Sequence, residues 1–428
     1  MSQTVPGNGP AFRDVVRNRN YMLLWLGQTV SQLGDALTIV ALPLLIYSMT
    51  QSVTSMTLTF VIESVPWIFI GPFAGVLVDR MNRRTVLIGV DLLRAVCVAM
   101  IFFSTSVGFI YVLCFLTQTL AAIFAPARSA VIPELIEREL YVKAIGLSQS
   151  SFQTVQIVGP FLATGVIALF GGPRASFLAD TVTFLVAVSL TLMIQFPKQA
   201  EKAAPTQRPS FFKSFGEGAS YLFGHKVLRY VTMINLLKGI TQSVVLTSSV
   251  LYCKTQLQMS AESSDRLYSV VVAALAIGII LGTTIISSMD KKIDRRFLII
   301  GGLMFQGLTF LSIQFHPGPI LLVGLYGLSG FFASGALTPV SACYAESTPN
   351  EVRGRVYSVV NSLIRVALAV GYFAAGMIGE RFGALTLLTC GGLLLVLATP
   401  LLTVVLRGFS ALSPKQPPLP QAPTASAK

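Results

Sequence analysis

The chain has 428 residues, 53% of them apolar and only 11% charged, with a formal net charge of +13. Soluble domains carry about 25% charged residues, so an ordinary soluble globular protein is excluded. The positive excess does not call for nucleic acid, because the basic residues are spread over short polar segments between apolar runs, where they suit an anionic lipid surface.

Residues 1–20 are polar, with Arg13, Arg17 and Arg19, and lack the apolar core and cleavage site of a signal peptide, so no cleavage is expected. Twelve apolar windows follow, each long enough to cross about 30 Å of hydrocarbon as a helix: 21–47, 54–78, 86–106, 108–128, 145–170, 174–197, 226–252, 267–289, 297–315, 318–341, 356–379 and 384–406. Solid apolar runs rather than alternating residues argue against a membrane barrel. The expected fold is an all-α polytopic membrane protein of twelve transmembrane helices. Between the sixth and seventh windows, residues 198–225 form a hydrophilic connector, entered through Pro197, Pro205 and Pro209. Its last part holds Phe211, Phe212, Phe215, Tyr221 and Phe223; it either lies on the membrane surface or lengthens the seventh helix. Residues 407–428, rich in Pro, Ala, Gln and Ser from Ser413 on, are expected to be a disordered tail. The cysteines Cys97, Cys114, Cys253, Cys343 and Cys390 fall in or at the ends of apolar windows with no metal-site spacing. No disulfide, metal or cofactor is expected.

Orientation follows from the basic residues. With the N-terminus inside, 24 of the 31 Lys and Arg lie in inner segments, four lie outside and three (Arg94, Lys238 and Arg365) lie within spans. Both termini of a multi-pass cell-membrane protein, in the cytoplasmic or inner membrane, are therefore expected in the cytoplasm.

The chain also repeats itself. A shift of 212 positions lays Arg83 on Arg295, Arg84 on Arg296, Ile88 on Ile300, Gly89 on Gly301, Gly27 on Gly239, Glu134 on Glu346, Gly159 on Gly371 and Gly171 on Gly383. One register held from end to end means two copies of one unit, here residues 21–197 and 226–406, two six-helix pseudo-symmetric halves. Internal repeats in a membrane chain are the mark of secondary transporters.

Polar residues inside the spans are the candidates for chemistry, since a charge at the bilayer centre costs about 2.5–3.5 kcal/mol on insertion scales and turns toward a bundle interior or cavity. Gln28, Gln32 and Asp35 in span one are spaced to share a helical face, as are Gln149, Gln153 and Gln156 in span five. Span seven holds Asn235, Lys238 and Gln242, and span eleven Asn361 and Arg365. One such stripe could be helix-to-helix glue; four are better explained as walls of an aqueous cavity. Asp35 and then Glu63 are the candidates for carrying protons, because a carboxylate in an apolar wall can take up and release a proton near neutral pH. Each charge also has a plain alternative: Asp35 tying two helices, Glu63 reaching the surface, Asp180 packing helices, Lys238 and Arg365 pairing with an acidic partner. Asp91 and Arg94, one turn apart, are expected to pair with each other or with the loop after span two.

That loop, Gly75-x-x-x-Asp79-Arg80-x-x-Arg83-Arg84, resembles the signature loop of the major facilitator superfamily, and the two six-span halves fit that family over nearly the whole chain. Gly159-Pro160 followed by Gly165 is similar to the family's antiporter motif, with Ala163-Thr164 where the motif has paired glycines and Val155 where it has an earlier one. The run Ser31-Gln32-Leu33-Gly34-Asp35 resembles the branch of macrolide efflux proteins and the enterobactin exporter. The resemblance implies a latch: Gly75 for close helix approach, Asp79 at the inner end of span eleven, and Arg80, Arg83, Arg84 and Arg128 in a charge cluster. It implies proton antiport of amphipathic small molecules by alternating access. The basic Lys238 and Arg365 keep a second reading open, in which the ligand is an anion such as a siderophore, lysolipid or peptide.

Other classes fit poorly. No Gly-Lys dipeptide exists, so a phosphate-cradling ATPase loop is absent. No G-x-S-x-G exists, and His225 and His316 lie near span ends, which leaves a hydrolase without a base. An enzyme is not expected. The expected partners are a small-molecule cargo, protons and the lipid bilayer, with the chain a monomer.

Overall fold

The computed structural model describes residues 12–79, 81–170, 172–196, 211–257, 259–289 and 293–407. Among them the regular structure is helical: α1 (Phe12–Arg17), α2 (Arg19–Thr50), α3 (Val53–Phe69), α4 (Gly71–Asp79), α5 (Arg83–Phe103), α6 (Val107–Leu135), α7 (Tyr141–Phe170), α8 (Arg174–Leu192), α9 (Phe211–Gly224), α10 (Lys226–Thr255), α11 (Ala261–Met289), α12 (Arg295–Ser312), α13 (Pro319–Ser347) and α14 (Asn350–Val405). Among the described residues, nine helices are long and apolar enough to cross a membrane unaided. The remaining spans come from α3 with α4, from α7, and from α14. That last helix is divided into two limbs at Gly383, whose φ of 79° lies where residues with a Cβ rarely go. Twelve spans result, so the start of α2 and the end of α14 lie at one end of the bundle, the terminal end.

Two expectations are refined. The second span is broken at Ile70, because Pro72 has no N–H to offer the carbonyl four residues back. The last part of the connector does not lengthen α10. It forms the separate helix α9, ended where His225 Nδ1 accepts from Leu228 N at 3.5 Å and caps α10. α9 rests on the start of α14: Arg355 Nη1 donates to Glu217 Oε2 at 2.5 Å, and a Cβ on Gly218 would lie 2.7 Å from the Arg355 carbonyl oxygen. The expected tail 408–428, the connector residues 198–210 and Arg80 lie outside the described residues.

The repeat is visible in contacts, not only in residue identities. Asn82 caps α5 by accepting from Arg84 N and Thr85 N; Asp294, 212 positions on, caps α12 by accepting from Arg296 N at 2.9 Å. Side-chain hydrogen bonds from Arg296 hold the Asp294 carboxyl below the usual range. Arg83 pairs with Glu134 and Arg295 with Glu346, the same ion pair in each half. Gly159 lets α7 press on α2, where a Cβ would lie 2.2 Å from Ala36 Cβ. Gly371 does the same for α14 on α10, a Cβ there meeting Ser243 Oγ at 2.8 Å.

The two halves pack on each other at the end opposite the termini, here the far end. One buried cluster joins Leu42, Leu45, Met56 and Ile110 of the first half to Leu251 and Tyr326 of the second, and runs on through the second half to Leu228 and Val356. A separate cluster, with Val15, Tyr21, Val86, Phe124 and Ile194, belongs to the first half alone at the terminal end. The closure at the far end is pinned by Glu380, whose Oε2 accepts from Val53 N at 2.6 Å, Thr54 N at 3.0 Å and Ser52 Oγ at 3.1 Å. A carboxylate from the second half thus caps the first turn of α3.

Candidate functional site

The charges inside the first half converge on one guanidinium. Arg94, on α5, donates from Nη2 to Asp35 Oδ1 on α2 at 2.6 Å, and its plane lies 4.4 Å from the Phe184 ring of α8. The Arg94 side chain is 6% exposed and that of Asp35 38%, so the pair is buried on one side and open on the other. Asp91 sits one turn before Arg94, buried, with both carboxyl oxygens lacking a hydrogen-bond partner among the described residues. Asp180, on α8, is also buried and accepts from Thr38 Oγ1 at 2.6 Å and Thr183 Oγ1 at 3.2 Å. Asp91 and Asp180 are both within electrostatic reach of Asp35 and Arg94. Close approach of α2 and α8 here depends on Gly34, where a Cβ would lie 2.2 Å from Asp180 Oδ1.

The expected pairing of Asp91 with Arg94 is therefore replaced by Asp35 with Arg94. A guanidinium has reach to choose among neighbouring helices, and sequence spacing along one helix does not rank those choices. The sequence named Asp91, Arg94 and Asp180 separately, but nothing in it brings three spans to one point. Three carboxylates around one guanidinium leave up to two excess negative charges where little water reaches. Burying unpaired charge is costly, and proton uptake is the available way to relieve it, shared among the groups rather than owned by one.

Glu63, on α3, is also within electrostatic reach of Asp35 but makes no contact with Arg94. Nearby, Gln118 Oε1 accepts from Trp67 Nε1 at 2.9 Å. Arg365 of α14 lies 4.1 Å over the Trp67 ring, which carries the contact across to the second half. Higher on the same two helices Phe60 stacks on Tyr372 at 4.2 Å. Lys238 has no ion pair among the described residues, and neither does Arg365, so the acidic partner weighed for each is not found.

A small, partly open cavity lies between the halves, lined by Ala36, Ile39, Phe60, Gln156, Leu246 and Tyr268 among others. Of the span-five stripe, Gln156 reaches it, Gln149 is exposed and the Gln153 side chain lies outside the described residues. Gln28 and Gln32 line a second cleft, near Arg128. Asn235 is half-buried, while Gln242 and Asn361 are exposed.

The latch is only partly described, since Arg80 and the side chains of Gly75 and Asp79 lie outside the described residues. Arg83 donates to Glu134 and, at 2.8 Å, to the Ala130 carbonyl. Arg84 donates to the Leu192 carbonyl at 3.0 Å. Arg128 joins neither of them. In the antiporter-like stretch Gly159 has a packing role, whereas a Cβ on Gly165 would meet nothing within 4 Å. Among the described residues no group of His, Cys, Asp or Glu could hold a metal ion.

Comparison with known proteins bears on all of this. Residues 14–423 match the family model described as transmembrane secretion effector. Macrolide efflux protein A of Streptococcus pyogenes is 24% identical over 373 residues, 85% of this chain and 90% of that protein. The multidrug efflux pump Tap of Mycolicibacterium fortuitum is 25% identical over 376 residues, 85% of this chain and 90% of that one. Among solved structures, a bacterial homologue of the human lysosomal transporter Spinster, inward-facing and unoccupied, superposes with a TM-score of 0.67 at 13% identity, covering 95% of this chain and 97% of that one. The nucleoside transporter NupG gives a TM-score of 0.65 at 12% identity, covering 91% and 98%.

Proposed function

Since the chain belongs to the transmembrane secretion effector family of major facilitator transporters, we propose that it exports amphipathic small molecules across the cell membrane in exchange for protons, by alternating access. The terminal end faces the cytoplasm, as the bias of basic residues requires. The observation that carries the reading is the Asp35–Arg94 pair, open to solvent on the Asp35 side and backed by Asp91 and Asp180. Efflux relatives over most of the chain support the direction of transport.

The halves close on each other at the far end through Glu380, the Phe60–Tyr372 stack and the shared core, which suits a state open to the cytoplasm. In that state a ligand enters between the halves. Asp35 exchanges Arg94 for a proton or for a cationic ligand, and Arg94 turns to Asp91, whose oxygens are unpartnered one turn away. Ligand and proton then compete for one carboxylate, which is what antiport needs. The apolar lining by Ile39, Phe60 and Leu246 favours an amphipathic cargo.

Proteoliposomes challenged with cationic drugs and macrolides test this. Cargo-driven proton movement is expected in the wild type and lost in Asp35→Asn, with ligand binding kept; unchanged movement in that variant refutes the coupling role. One observation favours a second reading. Lys238 and Arg365 are half-buried cations without acidic partners among the described residues, and they would suit an anionic ligand. Loss of transport in both Lys238→Ala and Arg365→Ala, with Asp35→Asn active, selects it.

A further inference from the structure

The contact between the halves that the transport reading leaves unused is Arg365 on Trp67. It is the last rung of a ladder between α3 and the first limb of α14. Glu380 caps α3 at Val53 and Thr54. Gly376 lies against Thr57, whose Oγ1 a Cβ there would overlap. Tyr372 stacks on Phe60 at 4.2 Å, and Arg365 lies 4.1 Å over the Trp67 ring. The rungs descend α14 as they advance along α3, in steps that keep one face of each helix in use. One turn further toward the terminal end, Asn361 on that same face of α14 is exposed. The ladder therefore stops at Arg365, and a molecule entering from the terminal end meets this rung first.

This rung is held differently from the others. Arg365 is half-buried and forms no ion pair or hydrogen bond among the described residues, so the ring face is what holds it. The ring does not depend on Arg365. Trp67 Nε1 donates to Gln118 Oε1 of α6 at 2.9 Å, which fixes the indole to the first half. A tryptophan face anchored in this way attracts any cation of suitable size. A guanidinium held by a ring alone can be exchanged for another cation, because its departure strands no buried carboxylate. Glu63 lies one turn before Trp67 on α3 and within electrostatic reach of Asp35, so a cation on the ring sits in the field of the carboxylates of the first half.

We propose that Trp67 selects cargo by charge: the positive group of a cationic ligand takes the place of the Arg365 guanidinium on the ring and so undoes the first rung of the far-end closure. The inference rests on the export reading and adds to it the residue that reads the cargo and the contact that its arrival breaks. The room it needs is the volume that the guanidinium vacates, which suits an alkylated ammonium head. A neutral molecule lacks the charge to displace Arg365, and an anion is repelled by the ring face. The freed Arg365 turns to water in the space between the halves, where Asn361 is already exposed. The Phe60–Tyr372 stack is then the next rung to part, so cargo binding loosens the closure from the cytoplasmic side.

The chain has two tryptophans, so Trp25→Phe leaves Trp67 as the sole indole reporter. The full-length Trp25→Phe protein, purified in detergent, is titrated with octyltrimethylammonium, with its neutral tert-butyl analogue and with octanoate. A saturable change in Trp67 emission is expected from the ammonium alone. Arg365→Gln removes the competing cation and lowers the half-saturating ammonium about two- to tenfold. Arg365→Lys keeps a cation and does not. An Arg365 with a structural role alone would leave that concentration unchanged or raise it. If Arg365→Gln does not fold, spin labels on the far ends of α3 and of the first limb of α14 decide without any change at Arg365: their separation grows with the ammonium and not with octanoate. An equal response to the neutral analogue, ammonium binding unchanged or weaker in Arg365→Gln, or spin-label distances that the ammonium leaves unaltered overturns the proposal. So does a response to octanoate that Arg365→Gln abolishes. Cargo-driven proton movement that is lost in Asp35→Asn keeps the export reading standing beside any of these failures.

Discussion

The two halves are built from one plan and charged on two. The same ion pair, helix cap and glycine contact recur 212 positions apart: Arg83–Glu134 and Arg295–Glu346, Asn82 and Asp294, Gly159 and Gly371. Yet no charge inside a span recurs. Asp35, Glu63, Asp91, Arg94 and Asp180 face Thr247, Leu275, Leu303, Gln306 and Gly392 at the matching positions of the second half. Lys238 and Arg365 face Leu26 and Gln153 of the first. What the repeat keeps holds helices in register. What it lets diverge is what a transporter has to do differently on the two walls of one cavity.

The largest way to break this comparison is Arg94→Met. It strands Asp35, Asp91 and Asp180 without their cation, and removing one partner of a buried ion pair costs about 3–5 kcal/mol. Folded, monodisperse protein on size-exclusion chromatography should fall sharply. Adding Asp35→Asn should restore part of it, because the double variant removes charge from both sides. An unchanged yield from Arg94→Met alone would mean that the cluster is not the centre of the first half.

Next come the glycine contacts, where the halves should answer alike. Gly159→Val and Gly371→Val place side chains against Ala36 and Ser243, so each should cost about 1–3 kcal/mol by overpacking. Thermal unfolding that drops for both would sharpen the symmetry; a drop for one alone would show that only that half uses its glycine for packing. Glu380→Gln should act more gently. It keeps an acceptor at the start of α3 but removes the charge, worth about 0.3–1 kcal/mol at an exposed helix N-terminus. Spin labels on the far ends of the two halves should then report a larger open population, and an unaltered distance distribution would remove Glu380 from the closure.

The smallest effect separates the two copies of one ion pair. Side chains of Arg83 and Glu134 are 10% and 24% exposed, those of Arg295 and Glu346 27% and 61%. A double-mutant cycle should give the first pair the larger coupling. The second should fall within the 0–1 kcal/mol usual for exposed pairs, an order-of-magnitude range.

Much of the fold was legible in the residues because hydrocarbon imposes it. An apolar window of fixed length, a bias of basic loops and a single repeat register lead to twelve helices in two halves without any tertiary information. The break at Ile70 was also written in the chain, as Pro72, but one proline inside a long apolar run does not say whether a helix bends or continues. The site was half legible. Asp35 stood out because a carboxylate in a span is costly. Its partner did not, since Arg94 lies 59 positions away on another helix and only packing decides which carboxylate it meets. Arg128 was grouped with the latch because it lies near the same end of the bundle. Which way it turned on α6 could not be had from spacing alone.

Proton release on ligand binding tests the central claim most directly. Purified protein in weakly buffered detergent is mixed with a cationic amphiphile while a pH indicator is followed. The wild type should release protons as the ligand takes Asp35, Lys238→Ala should release as many, and Asp35→Asn none. Release that survives in Asp35→Asn, or that disappears only in Lys238→Ala, would contradict the assignment of proton handling to the first half.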